Sequence, residues 1–200
     1  GRVSFGDRDI TGLEPYQVCQ AGIGRTFQNI RLFQQLSVIE NVFIASHMDG
    51  DYNIFEALLR LNKFRKTENK LRENSKELLN ILGLGDRLHE KAGSLPYGHQ
   101  RKLEIARAMA TRPKLLLLDE PAAGMNSEES KELVDFIIEL KEEFDLTVFM
   151  IEHHMDVVMS ICERVTVLNF GKTIAEGTPK EIQSNRSVRD AYLGGEDTQC

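Results

Sequence analysis

Asp119 and Glu120 follow four consecutive leucines, Leu115 to Leu118, so two carboxylates stand at the C-terminal end of a short apolar run. Pro113 precedes that run, and its unbroken apolar character predicts a strand buried on both faces. Ligands of open α/β sheets collect at the carboxyl ends of strands. An acid there can hold Mg2+ through water, and the acid beside it can polarise a water for attack on a γ-phosphate. A glycine-bearing turn, Leu95-Pro96-Tyr97-Gly98-His99-Gln100, opens a helical stretch whose N-terminal amides would face an anion. A second apolar run ends in Ile151-Glu152-His153-His154, and a histidine so placed can donate to a phosphate oxygen and sense its loss. His153 and His154 are adjacent candidates, and neither spacing suggests zinc.

The elements that must position these groups are legible as alternation. From Ser94 onward, strand-like and helical segments alternate, which predicts α/β architecture with a largely parallel sheet. Asn126 can cap the helix after the acids, with Glu129 at N3 and Leu133, Phe136, Ile137 and Leu140 as its apolar stripe. Thr147 to Ile151 reads as the next buried strand, and a helix is expected over about 155–162. Pro179, at the first position of a short helix opened by Thr178, begins the tail. Upstream, residues 1–28 read as short strand-like pieces and the turn-rich Ala21 to Gln28. Residues 29–94 read as a small helical lobe, with a capping box at Ser37 and Glu40 and helical spacing at Leu78, Leu79 and Leu82.

The phosphate-cradling pattern G-x-x-x-x-G-K-[ST] is not found in these residues. Gly171-Lys172-Thr173 has its ending, but Thr166 stands where the first glycine should be. Strand-like runs flank it, so a hairpin turn is expected there rather than the start of a phosphate-facing helix.

Composition sets the class. The chain has 200 residues, 41% hydrophobic and 28% charged, enough for a real core in one domain or a domain with a smaller lobe. Its net charge of −6 argues against a duplex-DNA footprint. Cys19, Cys162 and Cys200 share no metal-ligand spacing, which fits a reducing compartment and no disulfide framework. No apolar run approaches the ~18–20 residues of a membrane span, and the N-terminus lacks signal-peptide layout, so the chain reads as soluble. It opens on Gly1 and almost at once on the strand-like Arg2 to Phe5, which suggests a fragment or a processed product.

The stretch from Leu95 to Pro121 resembles the signature turn and Walker B strand of an ABC-type ATPase. Gly24-Arg-Thr-Phe-Gln28 looks like its Q-loop, Pro121-Ala-Ala-Gly-Met-Asn126 like its D-loop with asparagine for the usual aspartate, and His153 stands at the switch-histidine register. Narrower features point to the ATP-binding subunits of branched-chain amino acid importers: Gly24 to Phe33, the Tyr-Gly form of the signature, Glu176 to Ile182 and Ala191-Tyr-Leu-Gly194. The resemblance covers essentially the whole chain, and importers for urea or short amides share much of it.

The resemblance implies an ABC-type ATPase core, a mostly parallel sheet with flanking helices, plus a small helical lobe, with the N-terminal part of the core missing. It divides the chain into a core remnant with the Q-loop over 1–28, the lobe over 29–94, the α/β core over 95–178 and a helical tail over 179–200. ATP and Mg2+ are the implied cofactors. Glu120 and His153 would be catalytic, Asp119 and Gln28 would serve the metal, and Gln28 with Leu95, Pro96, Tyr97, Gly98, His99 and Gln100 would meet nucleotide. Pro96 replaces the family's usual serine, so the hydroxyl contact is absent and Gly98 with nearby amides must suffice. A second ATPase subunit, homo- or heterodimeric, transmembrane permease subunits and, indirectly, an external solute-binding protein are the implied partners, with no nucleic acid and a peripheral place on the cytoplasmic face of the plasma membrane.

The resemblance implies three alternative functions. The first is an import ATPase that couples ATP-driven closure to a permease. The second is a non-catalytic fragment that donates only its signature turn to an intact partner, because without a glycine loop its own composite site would be crippled. The third, an ATPase of DNA repair or chromosome organisation, is opposed by the acidic balance and by the lack of heptads flanking the lobe.

Overall fold

A computed structural model describes residues 1–49 and 52–193. The end of the expected tail, with Gly194 and Cys200, lies outside the described residues. In chain order the elements are β1 (Ser4–Phe5), β2 (Arg8–Asp9), α1 (Pro15–Gln20), β3 (Ile23–Arg25), α2 (Val38–Ser46), α3 (Ile54–Leu58), α4 (Asn62–Ile81) and α5 (Tyr97–Met109). They continue as β4 (Leu115–Asp119), α6 (Ser127–Glu143), β5 (Thr147–Ile151), α7 (Met155–Ile161), β6 (Val165–Asn169), β7 (Lys172–Gly177), α8 (Pro179–Ser184) and α9 (Arg186–Leu193). The described residues fall into two compact units, divided between Ile151 and Glu152.

In the first unit β3, β4 and β5 form a parallel sheet in that order, with Leu116 opposite Gly24 on one side and Val148 on the other. The step from β4 through α6 to β5 is the helix-bearing crossover that parallel pairing demands. Asn126 caps α6 as its sequence requires, accepting from the Glu128 and Glu129 amides while the Glu129 carboxylate accepts from the Asn126 amide. Leu133, Phe136, Ile137 and Leu140 are buried on that helix.

The helical stretch between β3 and β4 is built on α2, which packs against both α4 and α5. The Ser37 and Glu40 capping box starts α2, and the buried hydroxyls of Ser46 and Ser75 meet at 3.2 Å to join α2 to α4. Asn41, fully buried on α2, accepts from the Phe33 amide at 2.9 Å and donates to the carbonyls of Phe33 and Ser37. Its side chain therefore moors the loop that leaves β3.

In the second unit β6 and β7 pair antiparallel across a two-residue turn. Phe170 and Gly171 both have positive φ, the form that matches the twist of a tight hairpin. Gly171-Lys172-Thr173 is thus a hairpin and not a phosphate cradle. Pro179 opens α8 under a Thr178 cap, as expected, and α9 follows as a separate helix that the sequence reading did not resolve.

Three expectations need correction. Ile23 to Arg25, read as part of a turn, is a strand: pairing with β4 overrides the weak strand propensity of a tripeptide centred on glycine. Strand β4 is not equally buried on both faces, since Leu116 and Leu118 are closed off while Leu115 and Leu117 are half-buried. Strand β5 is more open still, with Phe149 59% and Ile151 55% exposed. A continuous apolar run does not say how many of its faces are covered. The helix α1 is a further addition, started by Pro15 and a capping box between Glu14 and Gln17.

Candidate functional site

Backbone pairing sets where the two acids stand. Asp119 is the last residue of β4, paired with Ile151, and the Glu120 amide still donates to the Ile151 carbonyl at 2.9 Å. Glu120 itself has φ +44, a left-handed conformation that costs a non-glycine residue of order 1 kcal/mol. The chain therefore turns sharply at Glu120, directly after the end of β4.

Each acid meets a side chain from the segment that runs out of β3. Arg25, on β3, lies 3.1 Å from the Asp119 carboxylate, and Gln28 donates its amide Nε2 to Glu120 Oε2 at 2.6 Å. Parallel pairing of β3 with β4, continued by the Thr26 amide donating to the Leu117 carbonyl at 3.0 Å, brings these residues to the same sheet end. Gly24 is needed there for closeness: a Cβ would stand 3.2 Å from the Pro113 ring.

The helix α5 reaches back to the same loop. Arg101 is fully buried and donates to the carbonyls of Phe27 and Gln28, both at 3.0 Å, while pairing with the buried Glu104 at 2.9 Å. Glu104 in turn accepts from the Arg31 amide, and Arg107 donates to the Arg31 carbonyl. The loop carrying Gln28 is thus clamped from one side by α5 and from the other by Asn41.

The turn before α5 is held by its own residues. Gln100 donates to the Leu95 carbonyl at 2.8 Å, and Leu95 is buried. The Tyr97 hydroxyl donates to the Ala123 carbonyl at 2.9 Å and accepts from Arg101, so it ties the turn to the loop after Glu120. Pro96 occupies the N-cap and supplies no side-chain hydrogen bond to α5. A Cβ on Gly98 would meet nothing within 4 Å, so no atom of the chain itself demands glycine there. His99 is half-buried; burial, then the positive charges of Arg87 and Lys102, hold its imidazole below the usual histidine value.

His153 and His154 belong to the second unit. There the buried Glu152 carboxylate accepts from the amides of both histidines and lies 3.0 Å from His154 Nδ1, with the two rings 4.2 Å apart. These three residues bring ligand-type atoms within 4.8 Å of one another. Two of their donors are imidazoles, which do not suit Mg2+, whereas the Asp119, Glu120 and Gln28 side chains offer oxygens of the hard type that it prefers.

Sequence reading named Asp119, Glu120, Gln28 and the turn, and the structure joins the first three at one sheet end. It missed Arg25, Asn41, Arg101 and Glu104. For the last two a signal was present: Arg101 lies one helical turn before Ile105, so a charge falls on the apolar face of α5.

The family described as ABC transporter matches residues 1–123, and that described as branched-chain amino acid ATP-binding cassette transporter matches residues 172–198. The high-affinity branched-chain amino acid transport ATP-binding protein LivG of Salmonella typhimurium is 42% identical over 194 residues, which is 97% of this chain and 76% of that protein. BraF of Pseudomonas aeruginosa, with the same description, is 41% identical at the same coverage. Among solved structures, the ADP conformation of MJ1267, an ATP-binding cassette of an ABC transporter, superposes with a TM-score of 0.79 at 31% identity, covering 97% of this chain and 77% of that one.

Proposed function

This chain belongs to the ATP-binding subunits of ABC transporters, ATPases that couple hydrolysis to transport, and from that premise we propose that it drives uptake of branched-chain amino acids. The observation that carries the site assignment is the 2.6 Å contact between Gln28 and Glu120, which ties the loop after β3 to the acid beyond β4.

In this reading Glu120 is the general base, and the oxygens of Asp119 and Gln28 would hold Mg2+, which when bound would supply positive charge against that developing on the phosphates. The amides at the start of α5, left without a side-chain cap by Pro96, face the γ-phosphate of nucleotide held mainly by a second ATPase subunit. His153, from its likeness to a switch histidine, would act as a hydrogen-bond donor to a γ-phosphate oxygen. Loop movement at Gln28 is passed to α5 through Arg101, and from the helical lobe to transmembrane permease subunits at the cytoplasmic membrane face. The choice of amino acid as cargo rests on the names of the relatives and on the family match over residues 172–198.

The test is Glu120→Gln in the assembled transporter. Turnover should fall by at least ~100-fold, the loss of a general base, with ATP binding retained. Unchanged turnover would remove Glu120 from the chemistry. Stimulation of the wild-type ATPase by a binding protein loaded with leucine, isoleucine or valine tests the cargo, and stimulation only by another solute class would reject it.

A further inference from the structure

The short helix α3 and the turn that leads from it to α4 carry an apolar face that the first unit leaves open. Ile54 is 83% exposed, Phe55 and Leu58 75%, and Leu59 66%. At 100° per residue these four side chains fall within an arc of ~140° on one side of the helix. Glu56, on the other side, is engaged in the capping box with Asn53.

The face is held in a built turn. Arg60 has φ +47, the Arg60 amide donates to the Ala57 carbonyl and the Leu61 amide to the Glu56 carbonyl, which together close the end of α3 as a Schellman motif. Edge-on packing of Tyr52 against Phe64, with centroids 4.9 Å apart, fastens the start of this hairpin to α4. Ordered apolar side chains held outward by a closed turn need a partner of low polarity.

Charge says which partner. Residues 54–66 hold four cations, Arg60, Lys63, Arg65 and Lys66, against the single acid Glu56, in a chain whose net charge is −6. All four cations are exposed. Apolar side chains bordered by lysine and arginine are the composition of a segment that enters the headgroup layer of an anionic bilayer.

We propose that this turn, with Phe55 and Leu58 inserted and Arg65 and Lys66 against phosphate headgroups, docks the subunit directly on anionic lipid. The contact goes beyond transport through permease subunits and does not depend on the assignments at the ATP site.

The experiment is cosedimentation of the purified full chain with vesicles of phosphatidylcholine alone or of phosphatidylcholine with phosphatidylglycerol. Partition into the anionic vesicles should exceed that into neutral ones by about tenfold at low salt and should collapse near 1 M salt, where the Debye length is ~3 Å. The double variant Arg65→Glu with Lys66→Glu should lower it about tenfold or more, and Phe55→Ser with Leu58→Ser should abolish it. Circular dichroism checks that each variant is folded. The chain contains no tryptophan, so Phe55→Trp adds a lone reporter whose emission should shift to the blue with anionic vesicles. Equal partition into both vesicle types, wild-type partition by the variants or an unshifted reporter would overturn the proposal. So would vesicle-free capture by purified permease through the same residues, which would make the turn a protein contact.

Discussion

Replacing Arg101 by methionine tests the clamp on the Gln28 loop. Arg101 is fully buried, and its partner Glu104 is only 5% exposed. Removing the guanidinium strands the Glu104 carboxylate in the interior, and breaking a buried pair in this way costs about 3–5 kcal/mol. The Phe27 and Gln28 carbonyls add little, because both residues are exposed and can turn to water. Adding Glu104→Gln removes the stranded charge, so the double variant should recover roughly 2 kcal/mol of the loss. Glu104→Gln alone leaves the fully buried Arg101 charge without its counter-ion and should cost about 3 kcal/mol, the low end of that range because the Phe27 and Gln28 carbonyls still accept from it. Urea unfolding of the four proteins, followed by circular dichroism at constant slope, gives the cycle. A single-variant loss below ~1 kcal/mol, or a double variant no more stable than Arg101→Met, would refute the picture of a buried pair that bears on the loop.

Other positions separate folding from function. Gly98→Asp should leave unfolding free energy within ~1 kcal/mol of wild type, since a Cβ meets nothing there, yet prevent ATP-dependent pairing of subunits in an ultracentrifuge. Phe170→Asn should raise the stability of the second unit by about 1 kcal/mol in thermal unfolding, because asparagine tolerates the positive φ that phenylalanine is forced to adopt. The lowered His99 value means that the unfolded chain takes up that proton first as pH falls below ~6.5. Stability should therefore decline from that pH downward through the lowered folded value, and His99→Gln should remove that part of the slope in denaturation curves measured across the window.

Local features and their order are legible along the chain. Ser37 and Glu40, Asn126 and Glu129, and Thr178 with Pro179 start helices because each cap is a contact between near neighbours. The four leucines before Asp119 make a strand, and Phe170-Gly171 makes a turn, for equally local reasons. Asp119, Glu120, Gln28 and the Gly98 turn were nameable because their types and their spacing along the chain carry the chemistry. Their assembly was not legible, since Gln28 and Glu120 meet only when β3, a tripeptide with poor strand propensity, pairs in parallel with β4. Tertiary structure alone decided that Arg101 and Glu104 would be buried against the Gln28 loop and that Phe149 and Ile151 would stay open on β5. Burial and pairing between distant segments depend on which faces meet, and a linear pattern of apolar and charged residues does not specify that.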